Sequence, residues 1–295
     1  MSDASAPLTP IVLSIQSHVA YGHVGNSAAV FTLQRLGIEV VAVNTVQFSN
    51  HTGYGEFRGQ VFAASHIEDV LEGLRARGVL AQCSAVLSGY QGDAGTGEAI
   101  LDVVGEIRRH QPGALYLCDP VMGDVGRGMF VRPGIPEFMQ RRAVPCADLI
   151  TPNQFEFEYL IGRSLSDTSD AIAAARELLQ REQQLEHVVI TSLVTPDVAD
   201  NRLRTLAVSR KQAGYVEAPR IVLEPLPNGM GDTFSAVLLG DYLRYRDIGR
   251  ALEHATGALT ELLQHTRAGM RDLPLIAAQQ QLVTPSGEYH FELAE

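Results

Sequence analysis

Apolar residues along this chain follow two rhythms. Short, nearly continuous runs occupy Ile11-Val12-Leu13-Ser14-Ile15, Ile38 to Val46, Ala85 to Leu87, Ala114 to Cys118, Ala147 to Ile150 and His187 to Ile190. Their length and density predict buried strands. Between them, apolar positions recur every three or four residues over Ser27 to Leu36, His66 to Arg77, Thr96 to His110, Pro133 to Arg142, Thr168 to Glu182 and Ile248 to Leu263. Those stretches predict helices. Phe57 to Ala64 alternates like a short edge strand. Arg202 to Ser209 and Gln212 to Glu217 read as an antiparallel pair around a polar turn. Strand, loop and helix in alternation predict an α/β fold on a mostly parallel sheet with helices on both faces. With no linker and no internal repeat, residues 11–295 are expected to form a single domain, preceded by a flexible tail over 1–10.

An open parallel sheet presents ligand-binding loops at the carboxyl ends of its strands. Ser17, Thr52, Tyr90, Asp119, Asp124, Glu156, Thr191 and Asp232 all fall just after predicted strands or at helix starts, so they are expected to share one edge. The loop Gln47 to Gly55 mixes aromatic rings, hydroxyls, an amide and an imidazole, a lining that suits a small polar ring. Asp119 directly follows a buried strand, where a carboxylate is costly unless it binds a cation or caps something. Gly123, Gly126 and Gly128 predict a mobile flap carrying Asp124 and Arg127. Thr151 is the expected N-cap of a helix reaching about Ile161, with Pro152 in its first turn and Glu156 close behind. His18 and His23, five residues apart, lack the spacing of a metal pair.

The stretch Pro227-Asn228-Gly229-Met230-Gly231-Asp232 precedes a long apolar run. Pro227 and Asn228 discourage helix, so the helix is expected to begin at about Gly231 or Asp232. Its first-turn N–H groups and dipole favour an anion such as a phosphate. Asp232 is then either an N-cap or a carboxylate placed to take a proton from an attacking hydroxyl. Asp119 and Glu156 could hold Mg²⁺ directly or through water. Together these are the parts of a phosphoryl-transfer site.

Composition narrows the partners. A net charge of −11 argues against nucleic acid and anionic membrane surfaces, and makes a cation the expected mediator of polyphosphate binding. No apolar run is long enough to span a bilayer, and the amino terminus lacks the pattern of a signal peptide. Cys83, Cys118 and Cys146 are scattered, which fits a reduced, cytoplasmic setting. Lys211 is the only lysine, and no P-loop motif occurs.

The motifs Ser14-Ile15-Gln16-Ser17-His18-Val19, Gln47-Phe48-Ser49-Asn50-His51-Thr52, Cys118-Asp119-Pro120-Val121-Met122-Gly123-Asp124, Thr151-Pro152-Asn153-Gln154-Phe155-Glu156 and Gly229-Met230-Gly231-Asp232 carry a resemblance. Across nearly its whole length the chain resembles the pyridoxal kinases of the ribokinase superfamily. Gly-x-Gly-Asp marks the superfamily, and the loop around His51 narrows it to vitamin B6 kinases. The resemblance implies a three-layer ribokinase-like fold. It also implies ATP-dependent phosphorylation of the 5′-hydroxymethyl group of pyridoxal, extending to pyridoxine and pyridoxamine. By position, Ser17 and Thr52 would bond the pyridine ring and Tyr90 would line its pocket. Asp119 and Glu156 would organise Mg²⁺ and the ATP phosphates, with Asp124 near the γ-phosphate. Asn153 and Ser192 would face the nucleotide, and Thr151 and Thr191 the phosphates and a monovalent ion, K⁺ or Na⁺. Asp232 would be the base, beside an anion hole of Gly229, Met230 and Gly231, and the assembly would be a homodimer. Met230 is bulkier than the residue usual in that turn. Thr191, where one bacterial subgroup has lysine, looks more like the animal-type enzymes. The alternatives are a hydroxymethylpyrimidine kinase of thiamine synthesis and a non-catalytic pyridoxal phosphate binding protein.

Overall fold

The computed structural model describes residues 9–294, so most of the tail expected over 1–10 lies outside the described residues. The first half contains β1 (Ile11–Val19), α1 (Asn26–Arg35), β2 (Glu39–Phe48), β3 (Gly59–Val61), α2 (Ala64–Ala76), β4 (Ala85–Ser88), α3 (Ala94–His110) and β5 (Leu115–Cys118). A small hairpin, β6 (Gly123–Asp124) and β7 (Gly128–Met129), leads into α4 (Ile135–Phe138), a π turn and α5 (Val144–Cys146). Then come β8 (Leu149–Ile150), α6 (Gln154–Ile161), α7 (Thr168–Arg181), β9 (His187–Leu193), β10 (Arg202–Ser209), β11 (Ala213–Pro219), α8 (Met230–Tyr245), α9 (Ile248–Gln264) and β12 (Glu292–Leu293).

Ten strands form one sheet in the order β12-β11-β10-β9-β8-β5-β4-β1-β2-β3. The run from β2 to β9 is parallel, while β3 at one edge and β10 to β12 at the other are antiparallel. Alternation along the strands assigns the faces. Leu13, Val86, Tyr116 and Ile190 pack on one side with α2, α3, α6 and α7. Val12, Leu87, Leu117 and Val189 pack on the other with α1, α8 and α9. This is the expected three-layer, mostly parallel architecture with helices on both faces. No helix among the described residues is long and apolar enough to cross a membrane.

The chain leaves β1 to form β2 on one side, then crosses to β4 on the other. Such a switch point opens a crevice at the carboxyl ends of the strands. Three local expectations change. β1 runs on through Ser17 to Val19, because β2 continues to Phe48 and pairs with it across an irregularity between Gln16 and His18. The glycine-rich flap is a hairpin, with Asp124 opposite Gly128. Thr151 is not the N-cap of α6. Asn153 is, and its side chain accepts from the Glu156 N–H in a capping box.

Candidate active site

α8 begins at Met230 after Gly229, whose φ of 83° suits glycine. Because Gly229 has no side chain, no N-cap oxygen takes the first N–H groups of the helix, which leaves those of Met230 and Gly231 to a ligand. A Cβ at this position would lie 1.8 Å from the His23 carbonyl oxygen, so the turn packs directly on the loop between β1 and α1.

Asp232 stands in that first turn, half-buried. Burial pushes its carboxyl above the usual range, while the backbone N–H of Gly25 and its own N–H pull it back. Gly25 connects two sides of the site. Its N–H faces Asp232, and a Cβ on it would lie 2.1 Å from the Ser17 carbonyl and 2.4 Å from the Ser17 hydroxyl. Ser17, at the end of β1, and Asp232, at the start of α8, therefore meet across one glycine.

Asp119 follows β5 and is 5% exposed. The Ser235 hydroxyl donates to its Oδ2 at 3.3 Å, and Ser235 Oγ lies 2.9 Å from Thr151 Oγ1. Thr151 thus joins the site through α8, not as a helix cap. A Cβ on Gly231 would lie 3.6 Å from Asp119 Oδ2, which puts this carboxylate beside the start of α8. Glu156 is equally buried. Its Oε1 accepts from Met122 N at 2.9 Å and Gly123 N at 3.4 Å, and its Oε2 from Asn153 N at 2.9 Å. Asn153 Nδ2 donates to the Gly123 carbonyl at 2.8 Å. Asn153 and Glu156 together fix the root of the β6–β7 hairpin. At its tip, Asp124 accepts from the N–H groups of Gly126 and Arg127.

Burial, and then the negative charges of Glu156 and Asp232, hold the Asp119 carboxyl well above the ordinary range. Glu156 is raised by burial despite its three N–H donors, with Asp124 adding to the rise. Among the described residues no arginine, lysine or histidine forms a salt bridge with Asp119, Glu156 or Asp232, and no three metal-binding side chains converge closely enough to hold an ion alone. Buried oxygen ligands with uncompensated charge fit a hard cation that completes its shell with water and phosphate oxygens.

Thr191 and Ser192 lie within the last three residues of β9 rather than in a loop after it. Thr191 N donates to the Pro152 carbonyl at 2.9 Å, and Thr191 bridges Asn153. Ser192 adopts a left-handed φ of 54°, uncommon for a residue with a side chain. On the far side of the crevice, Tyr90 follows β4 half-buried, and burial raises its phenol. Thr52 is exposed in a single 3₁₀ turn, Thr52–Tyr54. The predicted residues thus divide into a β1/β2/β4 group (Ser17, Thr52, Tyr90), a β9/α6 group (Asn153, Thr191, Ser192), and the carboxylates and α8 turn between them.

The family model described as Phosphomethylpyrimidine kinase matches residues 68–275. Pyridoxal kinase PdxY of Rubrobacter xylanophilus is 54% identical over 276 residues, 93% of this chain and 94% of that protein. Pyridoxal kinase PdxY of Deinococcus radiodurans is 47% identical over 297 residues, 99% of this chain and 100% of that one. The chain belongs to the pyridoxal kinase family. The pyridoxal kinase from Leishmania donovani in complex with ADP and pyridoxamine matches the fold with a TM-score of 0.88 and 31% identity, covering 97% of this chain and 99% of that one.

Pyridoxal kinase motifs account for the edge residues, but not for two groups of polar side chains around them. Beneath the crevice, Gln16 Nε2 donates to Ser14 Oγ at 3.0 Å, Ser14 Oγ to Asn26 Oδ1 at 2.8 Å, and Asn26 Nδ2 to Asn44 Oδ1 at 2.8 Å. A Cβ on Gly89 would lie 2.3 Å from Gln16 Oε1, so this chain of bonds supports the backbone just before Tyr90. The polar breaks in otherwise apolar β1 and β2 were its only sequence signal. The second group is Arg271 and Asp272, which reach the Thr52 turn from beyond α9 and have no local signature.

Proposed function

We propose that this chain transfers the γ-phosphoryl group of ATP to the 5′-hydroxyl of pyridoxal, giving pyridoxal 5′-phosphate and ADP, with pyridoxine and pyridoxamine as further acceptors. The observation that carries this reading is the meeting of Ser17, Gly25 and Asp232 at the uncapped start of α8. It supports an acceptor hydroxyl held between a ring-binding side chain and a carboxylate, next to N–H groups free to take phosphate. Relatives named pyridoxal kinase, and a related structure containing ADP and pyridoxamine, support the same substrates.

Asp232 accepts the proton of the 5′-hydroxyl as that oxygen bonds to the γ-phosphorus. The bond from the γ-phosphorus to the bridging oxygen breaks, and ADP leaves. A carboxyl raised by burial is a better base than an exposed one. The N–H groups of Met230 and Gly231, with the Gly229 turn, stabilise charge on the transferring phosphoryl oxygens. Ser17 and Thr52 bond the ring, and Tyr90 lines its pocket. Asp124, Thr151, Asn153, Thr191 and Ser192 serve the nucleotide, with K⁺ or Na⁺ near the threonines. Asp119 and Glu156 would hold Mg²⁺, which supplies charge neutralisation for the ATP phosphates when bound. We further propose a homodimer in the cytoplasm, a compartment that suits three free cysteines.

A second acceptor, hydroxymethylpyrimidine, is favoured by the description of the family model. The Gln47–Thr52 loop lies outside the matched residues and favours pyridoxal. Coupling ADP release to each compound in turn decides between them. Turnover of pyridoxal at a kcat/KM far above that of hydroxymethylpyrimidine is expected. The reverse order would assign the other reaction, and turnover of neither would leave a binding protein.

A further inference from the structure

The loop that carries Thr52 has little apolar anchorage. Its 3₁₀ turn contains no buried residue, glycines occupy positions 53 and 55, and Gly55 to Gln60 are exposed. What ties it down comes from far along the chain. The Tyr54 hydroxyl donates to Asp272 Oδ2, across 218 positions of sequence. The other carboxylate oxygen, Oδ1, accepts from His23 N at 3.3 Å. Gly22, at a φ of 104°, lies so close that a Cβ there would stand 2.8 Å from Oδ1. One carboxylate therefore joins the Thr52 turn to the loop that leads into Gly25.

Arg271 extends the junction. Its guanidinium donates to the Gly53 carbonyl at 3.0 Å and lies over the Tyr54 ring, 5.3 Å from the centroid. Its own carbonyl accepts from Asn228 N and Nδ2, both at 2.8 Å. The dipeptide is itself firmly seated, because Leu273 and Leu275 are buried in the core with α1, α8 and α9. A rigid base thus meets three loops: 22–25, 51–54 and the turn before α8. The turn before α8 is held by the Arg271 main chain, which side-chain substitution leaves in place. The side chain of Asp272 acts on the other two.

We propose that Asp272 is a positioning residue that fixes the Thr52 turn against the β1–α1 loop and so sets how tightly the acceptor ring is held. This deepens the kinase reading and rests on it. A turn that must be ordered by the substrate itself weakens substrate binding by the cost of that ordering. ATP, expected on the β9/α6 side, is spared that cost.

The test uses the full chain and four variants: Asp272→Ala, Asp272→Asn, Tyr54→Phe, and Asp272→Ala combined with Tyr54→Phe. Asp272→Ala should raise KM for pyridoxal about 10-fold, the scale of a hydrogen bond to a charged group, with kcat and KM for ATP little changed. Tyr54→Phe should give part of that rise, and the double variant no more than Asp272→Ala alone, because both remove the same tie. Asp272→Asn keeps polar groups for both Tyr54 and His23, and should return most of the wild-type KM. Hydrogen exchange provides a readout that needs no turnover. Amides of residues 49–58 should exchange faster in Asp272→Ala and near the wild-type rate in Asp272→Asn. Equal rises in both KM values, additive effects in the double variant, or unchanged exchange at 49–58 would each overturn the proposal. If Asp272→Ala fails to fold, the Tyr54→Phe and Asp272→Asn proteins carry both readouts. If the wild-type chain does not turn over pyridoxal, the kinase reading fails, while the exchange comparison still decides whether Asp272 holds the turn.

Discussion

Replacing Gly25 by alanine probes the centre of the site with a single methyl group. Gly25 has φ 54° and ψ −134°, a combination that side chains resist. The new Cβ would start 2.1 Å from the Ser17 carbonyl oxygen, where real Cβ atoms keep at least 3.0 Å, so something must move by roughly 1 Å. Ser17 is held through its neighbours, because Gln16 and His18 pair with Asn44 and Gln47 of β2 and His18 also bridges Gly25. The β1–α1 loop has to move instead, taking the Gly25 N–H away from Asp232. Backbone strain and overlap together cost about 2–4 kcal/mol. For a chain of this size that corresponds to a fall in Tm of roughly 3–7 °C. Without that donor the Asp232 carboxylate loses its fixed orientation, and misplacing a base on this scale lowers kcat by about 100-fold. Calorimetry and a coupled ADP-release assay measure the two effects separately. A Gly25→Ala protein that melts like the wild type and keeps more than about half its kcat would refute the argument that this glycine sets the Ser17–Asp232 geometry.

Other expectations are simpler. Asp232→Asn keeps the shape but not the basicity, so kcat should fall by about 10²–10⁴-fold while pyridoxal still binds by calorimetric titration; near-normal turnover would return Asp232 to a helix-capping role. Ser17→Ala and Thr52→Ala should raise KM for pyridoxal more than for ATP, each by the worth of one hydrogen bond, about 0.5–1.5 kcal/mol. The raised carboxyls of Asp119 and Glu156 give a sign for Mg²⁺. An acid raised on folding binds its proton more tightly in the native state, so its contribution to stability is present at low pH and is lost as pH rises through the folded range. Mg²⁺ competes with those protons. The increase in Tm on adding Mg²⁺ should therefore be larger at about pH 8.5 than at about pH 6. Excess chelator should abolish activity, and Glu156→Gln should shift the Mg²⁺ titration to higher concentration. Superimposable titrations would leave Glu156 as a capping-box residue alone.

Much of this was legible where physics is local. Runs such as Val188-Val189-Ile190 and the periodic stretch ending at Leu263 appear close to where they were expected. The glycines before Asp232 marked a helix start within two residues of the observed one. Around α6 the local signals conflicted. Thr151-Pro152 is a good opening, but Asn153 and Glu156 have the spacing of a capping box, and tertiary bonds from Met122 and Gly123 to Glu156 favour the second. The extension of β1 through Ser17 depends on the length of its neighbour β2, which the segment itself does not encode. Asp272 was illegible because its partners, His23 and Tyr54, lie more than 200 residues away.

The ends of the sheet bear on how the protein behaves at high concentration. β11 offers a seven-residue outer edge, and β12 covers only Gly214 and Tyr215 of it, with Ala294 N adding one bond to the Ala213 carbonyl. Phe291 packs over Gly214 and Gly249, and its N–H is taken by Glu253. This short seam occupies backbone groups that would otherwise template strand addition by another molecule. Removing residues 288–295 should leave α8 and its first turn intact but make the protein prone to self-association. Light scattering during slow heating would register that as earlier clouding, and an unchanged clouding temperature would mean that the remaining edge is protected by its twist and charge alone.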